Sequence, residues 1–244
     1  MNLVIDIGNT RIKAAIFDDS KMIEEYAADS SPLELTEMIL NKYPDIQYAI
    51  VSSVHEPESD FSGVLRKKVS KLIEVDDTTP VPITNLYQTP DTLGKDRLAA
   101  LVGAYAIYPD SNVLIIDTGT AITYDFLDSG NRYSGGNISP GMEMRFKALN
   151  QYTRKLPKVS AKNTFPEMGF DTESSIISGV TNGILYEMNS YISIFIRKYK
   201  DLKIILTGGD ANFFVKKLKK TIFVIPNLVL IGLNHILQYN EKIH

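Results

Sequence analysis

Residues 112–126 read NVLIIDTGTAITYDF, and residues 2–18 read NLVIDIGNTRIKAAIFD. In each stretch an apolar, β-branched run reaches an aspartate, passes through a glycine-containing turn and then resumes. This pattern predicts two adjacent β-strands joined by a tight turn. Asp117 follows Asp6 by 111 residues, and each is followed by one residue and then glycine. Two such stretches at equivalent places in the chain indicate an internal duplication.

The predicted elements follow the same order in both halves, a β-meander and then alternating helices and strands. Periodicity and turn residues predict strands at 2–7, 11–17, 21–27, 46–54, 112–117, 121–127, 132–138 and 203–206. Helical spacing and capping residues predict helices at 31–43, 61–72 and 94–108, from Met142, from Asp171 or Thr172 through Phe195, after Asp210, and at 227–237. Residues 76–93 and 152–170 read as irregular chain. We therefore predict an α/β fold with two domains, 1–110 and 111–244.

The composition restricts the functional classes. The chain has 244 residues, 44% hydrophobic and 23% charged, enough to bury the core of one large or two small domains. Its formal net charge of -3 means that the chain has no overall excess of positive charge of the kind that binds nucleic acid or an anionic membrane. The sequence has no cysteine, which excludes disulfides, thiolate metal sites and cysteine nucleophiles. Without a signal-peptide pattern or an apolar run of about 18 residues, we expect a cytoplasmic protein with no nucleic-acid or membrane partner.

The two turns suit the binding of phosphate groups. Glycine lets backbone N–H groups approach a phosphate, and Asn9, Thr10 and Thr120 add donors. An aspartate can hold a cation between phosphate oxygens, and Lys13 in the next strand is within reach of a phosphate. One such turn alone would be an ordinary hairpin turn, but the paired occurrence favours two turns that hold a polyphosphate from both sides. The sequence lacks GxxxxGK[ST], which excludes a P-loop, and lacks GxGxxG after the first strand.

A third glycine element, Thr207-Gly208-Gly209-Asp210, follows the predicted strand KIIL and opens a helix. Paired glycines let a flat ring lie on the backbone, and a helix N-terminus favours negative charge nearby. After two phosphate turns, this element fits an adenosine pocket.

The sequence LGKDR at 93–97 places an acid and an arginine side by side at the start of a helix. Asp96 can accept the proton of an attacking hydroxyl, and Arg97 can fork onto a carboxylate or phosphate. The alternative is an ordinary acid at a helix start with an exposed ion pair. Together with the phosphate turns, the pair favours phosphoryl transfer to a hydroxyl.

These motifs resemble those of a known superfamily. DIGNT with its following lysine, DTGTA and LTGGDA are similar in order and spacing to the phosphate and adenosine elements of the actin-like ATPases. More specifically, IDIGNTRIK (5–13), LGKDR (93–97), IDTGTAIT (116–123), GGNISPG (135–141) and LTGG (206–209) resemble type III pantothenate kinases over nearly the whole chain. The resemblance implies two duplicated ribonuclease-H-like domains, mixed five-stranded sheets flanked by helices, and an active site in the interdomain cleft. The implied activity is ATP-dependent phosphorylation of the pantothenate hydroxyl to 4'-phosphopantothenate, the first step of coenzyme A biosynthesis.

The same resemblance implies roles for individual residues. Asp96 is the implied proton acceptor, and Asp117 the implied ligand of a monovalent cation, K⁺ or NH₄⁺, with Mg²⁺ carried by ATP. Thr172 is similarly placed to a threonine that meets pantothenate across a homodimer interface. The other implied contacts are Tyr87, Gly94, Lys95, Asp96 and Arg97 for pantothenate, and Asp6, Ile7, Gly8, Asn9, Thr10, Arg11, Ile12, Lys13 and Thr120 for ATP.

Two alternatives stay open at this point. A nucleotide-binding regulatory or transcription-accessory protein would also need turns that hold ATP, because binding does not prove transfer. Asp96 with Arg97 argues against it, since a switch would not need that pair. Another small-molecule kinase of the same superfamily, acting on a sugar or a short acid, is the second alternative.

Overall fold

The computed structural model describes residues 1–29, 31–54 and 61–243. The chain divides into two compact units. The first comprises Met1–Asp110, Gly130–Ser134 and Asn227–His244, and the second comprises Ser111–Ser129 and Gly135–Pro226. The predicted domain division, 1–110 and 111–244, stays a proposal drawn from the repeated order of elements.

The predicted alternation of strands and helices is present along the chain. The strands are β1 (Asn2–Ile7), β2 (Ile12–Asp18), β3 (Lys21–Ala28), β4 (Tyr48–Ser53), β5 (Lys71–Glu74), β6 (Thr84–Asn85), β7 (Val113–Thr118), β8 (Ala121–Leu127), β9 (Arg132–Pro140), β10 (Lys203–Thr207) and β11 (Phe223–Val224). The helices are α1 (Pro32–Lys42), α2 (Phe61–Lys68), α3 (Lys95–Ile107), α4 (Met142–Gln151), α5 (Thr172–Lys198), α6 (Ala211–Val215) and α7 (Leu228–Ile243), and a short 3-10 turn covers Pro90–Thr92.

The first unit contains a five-stranded mixed sheet, as predicted, in the order β3-β2-β1-β4-β5. Strand β1 is antiparallel to β2 and parallel to β4. Strand β2 is antiparallel to β3, and β5 is parallel to β4. The buried apolar residues of β1 and β4 account for their central place, because strands covered on both faces are apolar throughout.

Alternate residues of β1 face opposite sides of this sheet. Leu3, Ile5 and Ile7 belong to the apolar cluster that also contains buried residues of α1 and α2. Asn2 points to the other face, where its Nδ2 donates a hydrogen bond to Oδ1 of Asn234 in α7 at 3.0 Å. Because side chains alternate along a strand, Asp6 shares the face of Asn2. The alternation therefore places Asp6 on the side of the sheet that α7 covers.

Helices α3 and α7 pack closely against each other in the first unit. A side chain at Gly103 of α3 would meet the carbonyl oxygen of Leu228, and one at Gly232 of α7 would meet that of Ala99. The two glycines thus allow backbone contact between the helices. This contact fixes α3, whose first turn carries Lys95, Asp96 and Arg97.

The second sheet repeats the topology of the first, with the order β11-β10-β7-β8-β9. Strand β7 is antiparallel to β8, and β10 is parallel to both β7 and β11. Strand β6 pairs in parallel with the first two residues of β9 and adds a sixth strand, where five were predicted. The segment around β6 contains three prolines and reads as a loop, and two residues are too short to show a strand period.

Helix α5 carries the long apolar stripe that the sequence predicts. Asp171 caps its first turn by accepting a hydrogen bond from the backbone N–H of Ser174 at 2.7 Å. Its buried residues face β7, β8 and β10. Within 1–29, 31–54 and 61–243, none of the helices has both the length and the hydropathy of a transmembrane segment.

Helix α2 is shorter than the sequence predicts. Helical spacing predicted a helix to Leu72, but α2 ends at Lys68 and Leu72 lies in β5, paired with Ala49 of β4. Backbone pairing at the sheet edge outweighs the local periodicity, because tertiary contacts override weak local preferences.

Candidate active site

The first predicted phosphate turn joins β1 to β2. Asp6 lies opposite Lys13 of β2 and Ser52 of β4 in the sheet register. Burial, followed by the negative charge of Asp96, raises the pKa of Asp6 to about 6. The Ser52 hydroxyl and the Lys13 ammonium oppose that increase. The charges of Asp96 and of Lys13 therefore both act on the Asp6 carboxyl, in opposite directions.

The turn itself spans residues 8–11. The backbone N–H of Gly8 donates to the carbonyl oxygen of Arg11 at 3.2 Å, which closes the hairpin. Arg11 Nε lies 2.9 Å from Oδ1 of Asp29 in an exposed ion pair. Asn9 and Thr10 are exposed, whereas Ile7 and Ile12 are buried. A ligand at this turn would therefore meet the side chains of Asn9 and Thr10, and only the backbone of the two isoleucines.

The predicted proton acceptor lies at the start of α3. Oδ1 of Asp96 accepts a hydrogen bond from the backbone N–H of Arg97 at 2.8 Å, and the side chain is exposed. A negative charge in this first turn is favoured by the exposed N–H groups of the helix. A Cβ atom at Gly94 would lie 2.5 Å from Asp96 Oδ1. The glycine before the helix therefore leaves room for the carboxylate.

Arg97 and Tyr87 meet a third residue that sequence reasoning missed, Tyr133. The Arg97 side chain is buried, and its Nη2 donates to Tyr133 Oη at 2.8 Å. The Tyr87 and Tyr133 rings stack with centroids 5.8 Å apart and planes at 15°. The Arg97 guanidinium lies 5.8 Å from the Tyr87 ring centroid. Tyr133 stands 36 residues beyond Arg97, and no local pattern in the sequence marks it.

The second predicted turn occupies the equivalent place in the second unit. Asp117 lies opposite Thr123 of β8 and Thr207 of β10, in the register that Asp6 has with Lys13 and Ser52. Thr118 Oγ1 donates to the carbonyl oxygen of Thr207 at 2.8 Å. The carbonyl oxygen of the exposed Thr120 accepts a hydrogen bond from the backbone N–H of Gly141 at 3.1 Å. The GGNISPG segment thus braces this turn.

The third glycine element packs directly on the second turn. Gly208 has φ of +90°, and a Cβ atom there would lie 2.5 Å from Asp117 Oδ1. The backbone N–H of Asp210 donates to the carbonyl oxygen of Thr118 at 3.1 Å. Burial, with a smaller contribution from Glu143, raises the pKa of the Asp210 carboxyl. Both the backbone conformation and the lack of space therefore require glycine at 208.

A charged network joins α4, α5 and the end of β9. Arg145 Nη2 lies 2.6 Å from Glu187 Oε2 and 2.7 Å from Ser139 Oγ, and its Nε donates to the carbonyl oxygen of Pro140 at 2.8 Å. Both charged side chains are largely buried. Since Pro140 precedes Gly141, this network also supports the brace behind Thr120.

Thr172, the predicted contact across a dimer interface, is the exposed first residue of α5. Two large apolar side chains just before it are also exposed, Met168 at 82% and Phe170 at 83%.

The predicted site residues are divided between the two units. The first unit contains Asp6, Lys13, Tyr87, Asp96 and Arg97, and the second contains Asp117, Thr120 and Thr172.

Comparisons with known proteins identify the family. A family profile described as type III pantothenate kinase matches residues 2–193. A type III pantothenate kinase of Phocaeicola vulgatus is 48% identical over all of both chains, and one of Bacteroides fragilis is 48% identical over 99% of each.

Solved structures share the fold at lower identity. A Campylobacter jejuni protein described as a Baf family transcriptional activator has a TM-score of 0.63 at 21% identity, covering 98% of this chain and 99% of that one. A ROK family glucokinase of Streptomyces griseus has a TM-score of 0.52 at 11% identity, with the same coverage. Both structures share the α/β fold of this chain and show no more than the fold. The full-length relatives and the family profile identify the family. The chain belongs to the type III pantothenate kinase family.

Proposed function

We propose that the chain transfers the γ-phosphoryl group of ATP to the hydroxyl of pantothenate, giving 4'-phosphopantothenate, with Asp96 as the proton acceptor. Family membership supports the reaction, and the observation that supports the role is the exposed Asp96 carboxylate, whose negative charge acts on the partly buried Asp6. Neither a regulatory nucleotide-binding protein nor a different small-molecule kinase is favoured by the relatives, which are type III pantothenate kinases over their full length.

Asp96 is suited to orient a hydroxyl. Its Oδ1 is engaged by the backbone N–H of Arg97, so we assign Oδ2 to the substrate hydroxyl. Phosphoryl transfer passes through a loose transition state, in which strong deprotonation of the alcohol is not needed early. Asp96 therefore aligns the hydroxyl first and takes its proton late. Most of the acceleration then comes from alignment and charge neutralisation.

Some of the proposed ATP contacts are made by side chains and others by the backbone. Asn9 and Thr10 supply exposed polar side chains, and Lys13 supplies a positive charge to the phosphates. The N–H of Gly8 already closes the hairpin, so we assign to Gly8 close approach rather than donation. Arg11 contacts ATP by exchanging its exposed partner Asp29 for a phosphate, because an exposed ion pair is weak. Ile7 and Ile12 contribute backbone only, and Thr120 contributes a hydroxyl.

We propose that Mg²⁺ binds together with the phosphates of ATP. In the part of the chain that the structure describes, no group of three His, Cys, Asp or Glu side chains could hold a metal ion by itself. Mg²⁺ in kinases takes one or two carboxylates together with substrate phosphates. We assign Asp6 as its carboxylate, and binding there would favour the ionised form of Asp6. When bound, the ion neutralises the charge on the phosphate oxygens.

We assign the monovalent cation to Asp117 because the two repeats differ in the residue that lies opposite the aspartate. Asp6 faces the ammonium-bearing Lys13, whereas Asp117 faces the neutral Thr123. K⁺ or NH₄⁺ at Asp117 would supply the positive charge that Lys13 supplies in the first repeat. The carboxylate and threonine oxygens near this point can coordinate K⁺ and can accept hydrogen bonds from NH₄⁺.

The pantothenate contacts we propose are Tyr87, Gly94, Lys95, Asp96 and Arg97, with Thr172 from a second copy in a homodimer. The exposed Met168 and Phe170 next to Thr172 support self-association, because large exposed apolar side chains commonly mark interfaces. A cytoplasmic location is also a proposal, and it rests on the need for ATP.

A coupled assay of ADP release tests the proposed reaction. We expect pantothenate to stimulate ADP formation, and a panel of sugars and short acids to leave it at the background rate. Stimulation by a sugar instead of pantothenate would favour the second kinase alternative. Nucleotide binding without transfer to any acceptor would favour a regulatory role.

A further inference from the structure

The Arg97 guanidinium is held by two tyrosines from different parts of the first unit. Arg97 is 6% exposed and Tyr133 is 0% exposed, so neither side chain is free to sample many positions. Tyr133 Oη accepts a hydrogen bond from Arg97 Nη2 at 2.8 Å. Tyr87 stacks on the Tyr133 ring and also lies beneath the guanidinium. Together the three side chains form a cluster that we call the Arg97 cluster.

The backbone explains why the two tyrosines meet. Strand β6 pairs with β9 so that Asn85 lies opposite Tyr133, and the N–H of Leu86 donates to the carbonyl oxygen of Tyr133 at 2.8 Å. The N–H of Tyr87 donates to Oδ1 of Asn85 at 3.0 Å. These bonds fix the chain on both sides of Leu86. The short strand β6 thereby sets Tyr87 against the ring of Tyr133.

We propose that Tyr133 is a positioning residue that fixes the Arg97 guanidinium for the carboxylate of pantothenate. This inference rests on the proposed function, in which Arg97 binds that substrate. A guanidinium has five N–H donors in a planar fork, so a bond to Tyr133 sets the plane in which the fork lies. A phenol accepts this bond without adding a negative charge. Tyr133 therefore orients the guanidinium and leaves its attraction for a carboxylate intact.

The chemistry predicts which step depends on Tyr133. The hydroxyl that reacts is placed by Asp96, whereas a carboxylate held by Arg97 contributes to binding in both the ground state and the transition state. Loss of such uniform binding raises KM and leaves kcat nearly unchanged. Tyr133 has no predicted contact with ATP, so the KM for ATP is expected to stay the same.

Tyr133→Phe removes one buried oxygen and keeps the stacked ring. We expect the KM for pantothenate to rise about tenfold, with kcat and the KM for ATP changed less than about threefold. Tyr124→Phe is the matched control, because Tyr124 is also a buried tyrosine in a β-strand but lies in the second unit. The control is expected to leave the KM for pantothenate unchanged. Equal increases in both KM values for Tyr133→Phe would indicate general loss of structure and overturn the inference.

A double-mutant cycle tests whether Tyr133 acts through Arg97. In an Arg97→Lys background, Tyr133→Phe is expected to have no further effect on the KM for pantothenate, or on its dissociation constant by calorimetry if turnover is too slow. Additive effects would overturn the positioning role while leaving Arg97 as a substrate ligand. If Arg97→Lys alone leaves pantothenate binding unchanged, the proposed contact of Arg97 fails, and the positioning role fails with it.

Discussion

Lys13 faces Asp6 across β1 and β2 in the same register in which Thr123 faces Asp117 across β7 and β8. The duplicated fold therefore offers an internal comparison, with a built-in ammonium in one repeat and a neutral hydroxyl in the other. Side chains that lie directly opposite on one face of a sheet are close enough to interact. This difference between equivalent positions accounts for the proposed cation requirement at Asp117.

In Thr123→Lys, the ammonium group of the new lysine is expected to take the place of the monovalent cation beside Asp117. The variant should retain pantothenate-dependent ADP release when KCl is replaced by choline chloride. KCl is expected to raise the melting temperature of the native protein but not that of the variant. Thr123→Met is the matched control, because it adds a side chain of similar length without a charge. It should lose the activation by KCl, and it should not become active in choline chloride. Unaltered dependence on K⁺ in Thr123→Lys would place the cation elsewhere.

Asp6 provides a prediction about stability and pH. Burial, followed by the charge of Asp96, raises its pKa from 3.8 to about 6 in the folded chain. The folded state thus holds this proton more tightly than the unfolded state, so the stability contributed is present below about pH 4 and lost as the pH rises through about 6. At pH 7.5 the ionised carboxylate is a net cost.

Asp6→Asn should therefore stabilise the fold at pH 7.5 by about 1–3 kcal/mol while greatly reducing phosphoryl transfer. Urea unfolding at pH 7.5 and pH 5 measures this effect, and the advantage of the variant should shrink at the lower pH. An advantage that grows as the pH falls would contradict the raised pKa.

Gly208 and Gly209 form a matched pair for testing the third glycine element. Alanine at 208 would combine φ of +90° with contact against Asp117, whereas a Cβ at Gly209 meets no atom within 4 Å. We expect Gly208→Ala to lower the free energy of unfolding by about 1–3 kcal/mol and to weaken activation by K⁺. Gly209→Ala should keep both properties near their native values. Equal effects of the two substitutions would show that crowding of Asp117 is not the cause.

Local pattern was sufficient for most of the fold. The aspartate–glycine turns predicted the hairpins β1–β2 and β7–β8, and the stripe from Ile177 to Phe195 predicted α5, because in both cases the signal lies within one element. Strands β5, β6 and β11 were missed because each is only two to four residues long and is defined by pairing with another strand. Leu72 keeps helical spacing with Leu65, yet it pairs with Ala49.

The same distinction applies to the site. Asp6 with Lys13, and Asp96 with Arg97, are close in sequence, so their types and spacing already indicated chemistry. Tyr133 meets Arg97 only because β6 and β9 pair. The close approach of Gly208 to Asp117, which leaves no room for a side chain at 208, likewise depends on β7 and β10 lying side by side. Contacts of this kind need the topology before they can be predicted.

In the proposed reaction, Asp96 accepts the proton of the pantothenate hydroxyl. Asp96→Asn keeps the shape of the side chain and its hydrogen bond from Arg97 but cannot take that proton, so kcat should fall about 10²–10⁴-fold with nucleotide binding retained. Asp91→Asn, which alters another exposed acid just before α3, is the control and should be active. Coupled ADP release with saturating pantothenate, ATP and KCl measures both variants. Turnover by Asp96→Asn at the native rate would contradict the assignment.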